Sequence, residues 1–593
     1  MSGYDYLVIV IYLACMLGGG FVFRQFNHDA GDYFRGGGNM LWWICGSSAF
    51  MSAFSAWSFT GAAGKIYETG TLVLVLYAAN FISFALTWAF FCYRFRQMRV
   101  VTNVEAIRDR FGRTSEQFYT WLALPLGVFG SGIGLNAVAV FVATALGMDY
   151  NLTMVTLGVV ITTIALTGGA WAVAAMDFVQ MLLVISVSVV AAILAVSQPA
   201  VGGLGGMLEK VPDSYFRWSD VAQPGVIVLW VIALLCNQIV SNNNMGESAS
   251  RYLMVRDSKQ ARRAALIPAI GILIAPLVWL LPSMSARITH PDLGAEYPHL
   301  ANASEVAFVA VCLDTLPQGM MGLLVCGIFA ATLTTMDTGL NRSAGIFVMN
   351  FYKPYVRPEA DSQHLLWVAR MATLVLGVLI ISMALLISTW RTMGLFDLVI
   401  RLAAAVSVPM SVPMLFGMFH RKSPPLAAWS TALFGMLLSL ALPRFVTGEM
   451  LGHLIGLETA PNTRETTDLF YAANIFLVLI FCTAWYWVVA LVVARSPIQT
   501  AQVEEFFTRM NKPVIRENDA ILEQDVRQYR VLARICFVWG GLVSCGVLIP
   551  NDLLGRACFI FCGGLILAFG TVLTWQARKI SRVSPDSTPV LIT

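Results

Sequence analysis

Along this chain, runs of about twenty apolar residues alternate with short polar connections from one end to the other. A run of that length crosses the hydrocarbon core of a bilayer as a helix, the form in which it can satisfy its own backbone there. The pattern predicts fifteen helices. α1 covers Tyr4–Phe23, α2 about Trp42–Tyr67, α3 about Leu72–Tyr93, α4 about 116–146, α5 about 150–167 and α6 about 171–196. α7 covers about 224–243 and α8 about 264–286, and α9 carries the polar run that starts at Gly327. α10 to α13 follow at about 365–390, 395–418, 423–446 and 468–494, then α14 at 535–550 and α15 at 553–576. Two further stretches read as helices outside this set. Val101–Gly112 is amphipathic, and Val306–Cys312 is an apolar patch suited to a surface or re-entrant helix within the polar segment 287–317.

Three of the apolar runs are interrupted. In α9, Gly327–Asn341 carries four threonines and Asp337. On a helix Ala331, Thr334, Thr335 and Thr338 fall at i, i+3, i+4 and i+7 and share one face. Hydroxyls beside a carboxylate suit a small hard cation. The alternative is that the threonines bond back to their own helix and Asp337 sits at a wet end. α2 is broken by Ser52, Ser55, Ser58, Thr60, Gly61 and Gly64, and α7 ends in the polar run Asn237–Asn244. These two lie five spans apart, where secondary transporters built from inverted repeats place their unwound helices. Close packing of small residues in α2, and a wet terminus in α7, are the alternatives.

Loop charge orients the array. With the N-terminus outside, the inside loops collect Arg24 and Arg35, the arginines of 94–113, the five basic residues of 251–263, and those of 353–357, 421–422, 495–534 and 578–582. The outside loops hold only Lys210, Arg217, Arg287, Arg391, Arg464 and Arg556. That bias follows the positive-inside rule and puts the C-terminus in the cytoplasm. α1 is long enough to span and no small-residue cleavage site follows it, so a removable leader is not expected. The place expected is a plasma membrane, the inner membrane if the cell is bacterial.

Composition adds exclusions. Charged residues make up 12% of the chain, against about 25% in a soluble protein. The 11 cysteines are scattered and lack metal-ligand spacing, as are the histidines. There is no HExxH, GxSxG or phosphate-binding loop, and no loop large enough for a nucleotide domain. No enzyme, organic cofactor, nucleic acid or obligatory protein partner is expected; the partners expected are a small solute and the lipid bilayer. Asp177 in α6 is the other carboxylate of note, since a mid-span aspartate costs about 2.5–3.5 kcal/mol to insert. It is paired, hydrated or functional, or it snorkels. Asp397 and Arg401, at i and i+4, most simply pair with each other.

Five segments, taken in order, resemble the sodium/solute symporter family. Asp32-Tyr33-Phe34…Gly36-Gly37 with Trp42-Trp43 is similar to its D-Y-F-x-G-G…W-W entry. Phe54-Ser55…Phe59-Thr60-Gly61…Gly64…Tyr67…Gly70 is similar to its broken helix. Val101-Thr102…Glu105…Arg110-Phe111-Gly112 and Gly168-Gly169…Ala172-Val173…Asp177…Gln180 match two further motifs. The α9 run resembles A-A-x-x-S-S-x-D-S-x-L-N, with threonine for serine. The resemblance implies an all-α polytopic fold with a LeuT-like inverted five-helix repeat. The expected parts are 1–40, a ten-helix core at 41–420 (repeats 41–197 and 224–420), peripheral helices at 421–494, a cytoplasmic segment at 495–534, and α14–α15 with the tail at 535–593.

It also implies a sodium site between α2 and α9. Its ligands would be the carbonyls of Met51, Phe54 and Ala331 and the hydroxyls of Thr334 and Thr335. Some members carry a second site, which here would use Asp177, Thr334, Asp337 and Thr338. The polar groups that other members use for sugar and sialic acid are not matched. Ser55, Trp57, Ser58, Asn80, Asn136, Asn237 and Gln238 are the remaining solute-binding candidates. The implied activity is sodium-coupled import by alternating access. A sugar-like or polyol-like solute comes first, then an amino-acid-like or organic-acid solute, then a sensor or channel-like protein on the same fold.

Overall fold

The structure, a computed structural model, describes residues 1–23, 38–100, 102–167, 170–246, 250–298, 300, 302–390, 394–457, 459–514 and 520–583. The entry motif at Asp32–Gly37, Gly168-Gly169, Val101 and the loop arginines Arg24, Arg35 and Arg391 lie outside the described residues.

Each expected helical stretch is helical. The first half of the array is α1 (Gly3–Phe23), α4 (Arg113–Leu146), α5 (Tyr150–Thr167), α6 (Ala170–Val196) and α7 (Pro224–Asn242), with α2 and α3 between α1 and α4. α3 runs through Leu74–Leu86, a widened π turn at Thr87–Phe91, and Cys92–Gln97. α8 (Ser258–Trp279) continues into Leu281–Thr289, and α9 (Met320–Phe347) continues as π turns over Val348–Val356. α10 is Ser362–Trp390, and α11 starts at Leu395–Leu402 and resumes at Val408–Gly417 after a π segment. α12 (Leu426–Phe445), α13 (Thr463–Val492), α14 (Ala520–Ser544) and α15 (Leu553–Val583) complete the set. Twelve stretches among the described residues are long and apolar enough to cross a membrane, and the apolar parts of α1 and α5 are shorter. Fifteen crossings are therefore more than length and composition support.

α9 is the axis of the bundle. Nearly all of its apolar window, 94%, is buried, against 28% for α13, so α9 meets protein on every side while α13 faces lipid on most of its own. It packs on α6, α4, α1 and α10. Its first turn has glycine at the cap position, Gly319 (φ +84°), which offers no side-chain acceptor. Asp5 at the start of α1 fills that role, accepting from the Gly319 and Gly322 N–H groups at 2.8 and 2.9 Å.

The basic end of the bundle is closed by the amphipathic helix Asn103–Phe111, which has a full capping box between Thr102 and Glu105. Arg110 from this helix is buried. It donates to the carbonyls of Gly417 (2.9 Å), Ser423 (3.3 Å) and His420 (2.6 Å) and lies over the Phe111 and Phe507 rings. Burial lowers its guanidinium to about 10, still charged at neutral pH.

At the opposite end, Ala307–Thr315 is a short helix whose residues through Cys312 are all buried. Of the two expectations for Val306–Cys312, the surface helix fails, because an apolar run with no polar face goes inside, and the re-entrant one is compatible with a short helix buried in protein. Asp397 and Arg401 also differ from expectation. Asp397 meets Lys65 of α2 at 3.4 Å, and Arg401 donates to Thr467 of α13 at 3.5 Å. Neighbouring helices offered each a partner that the i, i+4 rule does not see. Within 495–534, Pro497–Met510 is a helix and α14 starts fifteen residues before its expected limit, at Ala520.

Candidate functional site

The break in α2 is local and complete. Trp42–Ser52 ends at Ala53, and the chain restarts as Ala56–Phe59 and then Gly61–Thr69. Ser55 is extended (φ −150°, ψ 179°) and caps the second piece, its hydroxyl accepting from the Trp57 N–H at 3.3 Å. The hydroxyl of Thr332 on α9 accepts from the Ala56 N–H at 3.0 Å, so a donor freed by the break is satisfied from another helix. Thr332 was not among the expected site residues, although it sits one residue from Ala331.

The break presents carbonyls to α9. The Thr335 hydroxyl lies 3.5 Å from the Phe54 carbonyl oxygen and 3.2 Å from that of Ala331. The contact with Ala331 is the bond back to its own helix that the alternative reading expected, so the contact that joins the two helices is that of Thr335 with Phe54. The Met51 carbonyl accepts from the Phe54 N–H at 3.2 Å, which leaves a second lone pair. Thr334 points to the α6 side, its hydroxyl 2.7 Å from an Asp177 carboxylate oxygen, 3.1 Å from the Gln180 amide oxygen and 3.1 Å from the Ala330 carbonyl.

Asp177 is 1% exposed and does not snorkel. It accepts from Ser48 of α2 as well as from Thr334. Asp337 accepts from Asn341, one turn along its own helix, at 2.8 Å. Thr338 accepts from Arg251. This arginine, from the turn after α7, also donates to the Ser52 hydroxyl at 3.1 Å and lies 3.9 Å from the Asp177 carboxylate. In the sequence it counts simply as one more cytoplasmic loop charge, and nothing in its spacing says that it turns inward.

The solute candidates divide. Asn80 of α3 and Gln238 of α7 are joined through Asn242, whose amide reaches both at 3.4 Å. Ser83 and Thr87 extend that seam to the Gln238 carbonyl and the Asn243 side chain, at 2.8 and 2.9 Å. The end of α7 is therefore neither a mid-span break nor a wet terminus; Asn243 and Asn244 are buried and bonded to Ser83, Thr87 and Ser411. Asn237 donates to the Tyr471 hydroxyl at 3.0 Å. The Trp57 indole donates to the Leu395 carbonyl at 3.3 Å and stacks on Phe396. Ser58 is buried one turn after the break. Asn136 lies apart from the others, donating to the Ala384 carbonyl at 3.2 Å and accepting from Tyr150. Beyond Trp57 lies a small cavity lined in part by Lys65, Trp230, Asp397, Arg401, Asp468 and Tyr471.

The break in α2 thus places a carbonyl against the hydroxyl face of the central helix. The sequence model of the Sodium:solute symporter family matches residues 33–438, more than half of the chain. The chain belongs to this family. The symporter is 25% identical to the sodium/myo-inositol cotransporter 2 of Bos taurus, across 74% of this chain and 69% of that protein. It is 24% identical to the sodium/glucose cotransporter 2 of Rattus norvegicus, across 81% and 77%. A solved Na+-coupled sialic acid symporter, in a substrate-bound outward-open state, superposes with a TM-score of 0.66 at 19% identity, covering 82% of this chain and 98% of that one. At that identity the likeness shows the fold. The protein is thus a multi-pass, all-helical membrane symporter with sodium as coupling ion, and not an enzyme.

Proposed function

We propose that the symporter imports a small neutral, polyhydroxylated solute together with sodium held between α2 and α9. The observation that carries the sodium position is the convergence of the Thr335 hydroxyl with the Phe54 and Ala331 carbonyls. One carbonyl from the break in α2 and a carbonyl and a hydroxyl from the facing turn of α9 form an all-oxygen, uncharged cradle of the kind a hard monovalent ion takes. Met51 and Thr334 complete the ligand set. Sodium then joins the two helices in the outward-facing state, and its loss loosens them. Coupling is the difference in sodium affinity between the two states.

For the solute, the seam of Asn80, Ser83, Thr87, Gln238, Asn242 and Asn243 supports a neutral polyol or sugar. Its groups are amides and hydroxyls, which both donate and accept, as a ring of hydroxyls requires. The likeness to the inositol and glucose cotransporters points the same way. An amino-acid-like zwitterion is the second reading, favoured by the charges of Lys65, Asp397, Arg401 and Asp468 around the cavity above Trp57. The ten-helix core at 41–420 and an outside N-terminus with a cytoplasmic C-terminus complete the proposal, the latter on loop charge.

Uptake into proteoliposomes decides the solute. Labelled myo-inositol, glucose and proline are offered under an inward sodium gradient and under potassium. Sodium-driven uptake of a polyol or sugar, competed by unlabelled compound, supports the first reading. Uptake of proline alone supports the second. Well-folded protein that binds a solute with no sodium dependence would sink both.

A further inference from the structure

Arg251 reaches the end of the hydroxyl face from outside the transmembrane array, and the fold fixes it there. The turn that carries it is pinned on both sides. The Met40 N–H donates to the Met254 carbonyl at 3.1 Å, and Arg96 donates to the carbonyls of Val255 (2.5 Å) and Arg256 (3.3 Å). Tyr252, Leu253, Met254 and Val255 are buried around it. Arg251 itself is 8% exposed. Its guanidinium donates to Ser52 of α2 and Thr338 of α9 and faces Asp177 of α6.

Those three groups, with Thr334, are an oxygen donor set drawn from three helices, and a carboxylate among them demands a cation. A buried aspartate without one is costly. Arg251 makes the one ion pair of Asp177 among the described residues. It occupies the oxygens that a second small cation would need, and two cations a few ångström apart in a buried site repel strongly. The engagement is nonetheless incomplete. The pair is 3.9 Å long, and the guanidinium Nε is buried with no hydrogen-bond partner among the described residues.

We propose that Arg251 is a tethered cation standing in for a second sodium ion at Asp177, Ser52 and Thr338, so that the symporter binds one sodium per molecule. The inference rests on the sodium position argued above, between Phe54, Ala331 and Thr335. In it, Asp177 has two tasks. It holds the arginine, and it accepts the Thr334 proton, which turns the lone pairs of that hydroxyl toward the first ion.

Equilibrium binding of radiolabelled sodium to the purified full-length protein tests this, with folding followed by size-exclusion profile and melting temperature. The wild type saturates at one sodium per molecule, Arg251→Gln at two, and Arg251→Lys at one. Two in the wild type, one in a folded Arg251→Gln, or two in Arg251→Lys overturns the inference and leaves the first sodium position standing. Zero in the wild type removes the sodium reading on which the inference rests. If Arg251→Gln does not fold, Asp177→Asn gives the answer. It removes the arginine's ion-pair partner and leaves Asp337 as the remaining acid in its field, so one sodium still binds, at least about tenfold more weakly. A count of zero means that Asp177 holds the only sodium, and an unchanged affinity means that the arginine exerts no field at the site. Either result overturns the inference.

Discussion

The Thr334 hydroxyl on α9 and the Asp177 carboxylate on α6 meet at 2.7 Å, across 157 positions of sequence. A hydroxyl that gives its proton to a carboxylate has its lone pairs free and more electron-rich, which makes it a better cation ligand than one bonded back to its own helix. Thr334 therefore ties α6 to the sodium position without α6 supplying a ligand there. Thr334→Val keeps the shape and removes the hydroxyl, and it is expected to weaken sodium binding by at least about tenfold, or about 1.4 kcal/mol. Thr334→Ser is expected to stay within about threefold of the wild type. Melting temperature in sodium against potassium, at equal ionic strength, reads both. Sodium at about 100 times its dissociation constant adds about 2.7 kcal/mol to the wild type. An undiminished sodium shift in Thr334→Val would remove this hydroxyl from the site.

Gly64 sits in the second half of α2 where the 302–306 segment crosses it. A Cβ there would lie 2.9 Å from the Ser304 carbonyl carbon and oxygen, and backbone does not swing aside as a long side chain does. Gly64→Ala is expected to cost about 1–3 kcal/mol and to lower the melting temperature in potassium as well as in sodium. If α2 moves against this segment during transport, uptake falls further than stability does. A variant as stable as the wild type would mean that the two backbones separate at no cost.

How much of this was legible depended on whether a residue's role is carried by its own stretch of chain. The helices were, because an apolar run of twenty residues has few alternatives. The break in α2 and the threonine face of α9 were each visible in one segment, but that Phe54 meets Thr335 was implied only by the resemblance to the family, since neither segment says which part of the chain it faces. Arg251 was not legible. An arginine in a polar loop reads as surface charge, and what turns it inward is a set of backbone bonds from Met40 and Arg96, more than 150 residues away in sequence. Asn136 shows the converse. A polar side chain in a span reads alike whether it faces a cavity or a neighbouring helix, and here Tyr150 and Ala384 are its neighbours. The burial of Ala307–Cys312 was ambiguous for a third reason, since a short apolar run has no period by which to judge its surroundings.

Arg110 shows why a guanidinium, and not simply a positive charge, closes the basic end. Its nitrogens serve three carbonyls, at Gly417, Ser423 and His420, from one plane stacked on the Phe111 ring. An ammonium on a flexible stem cannot reach all three and does not stack in the same way. Arg110→Lys is expected to leave at least one buried carbonyl unpaired and to cost about 1–3 kcal/mol. Hydrogen exchange gives the local readout. Faster exchange confined to Asn103–Phe111 and the 417–423 turn is expected, with the sodium-dependent shift intact. Unchanged exchange would mean that the helix is held by its apolar face alone.

Asp5 separates the integrity of α9 from its ligand chemistry. Its carboxylate accepts from the Gly319 and Gly322 N–H groups, and its other oxygen accepts from the N–H and hydroxyl of Ser2, so one buried acid ties α1 to the first turn of the central helix. An anion at a helix N-terminus is favoured by the exposed N–H groups and the helix dipole. Asp5→Ala removes the cap and is expected to cost about 1–2 kcal/mol, and Asp5→Asn, which keeps an acceptor but loses the charge, less. The threonine face starts about four turns further along the helix, so sodium affinity is expected to stay within about threefold in both variants while the melting temperature falls by the same amount in sodium and in potassium. A loss of sodium affinity in Asp5→Ala, with the overall stability unchanged, would mean that the first turn of α9 sets the geometry of the ion site and is not merely its anchor.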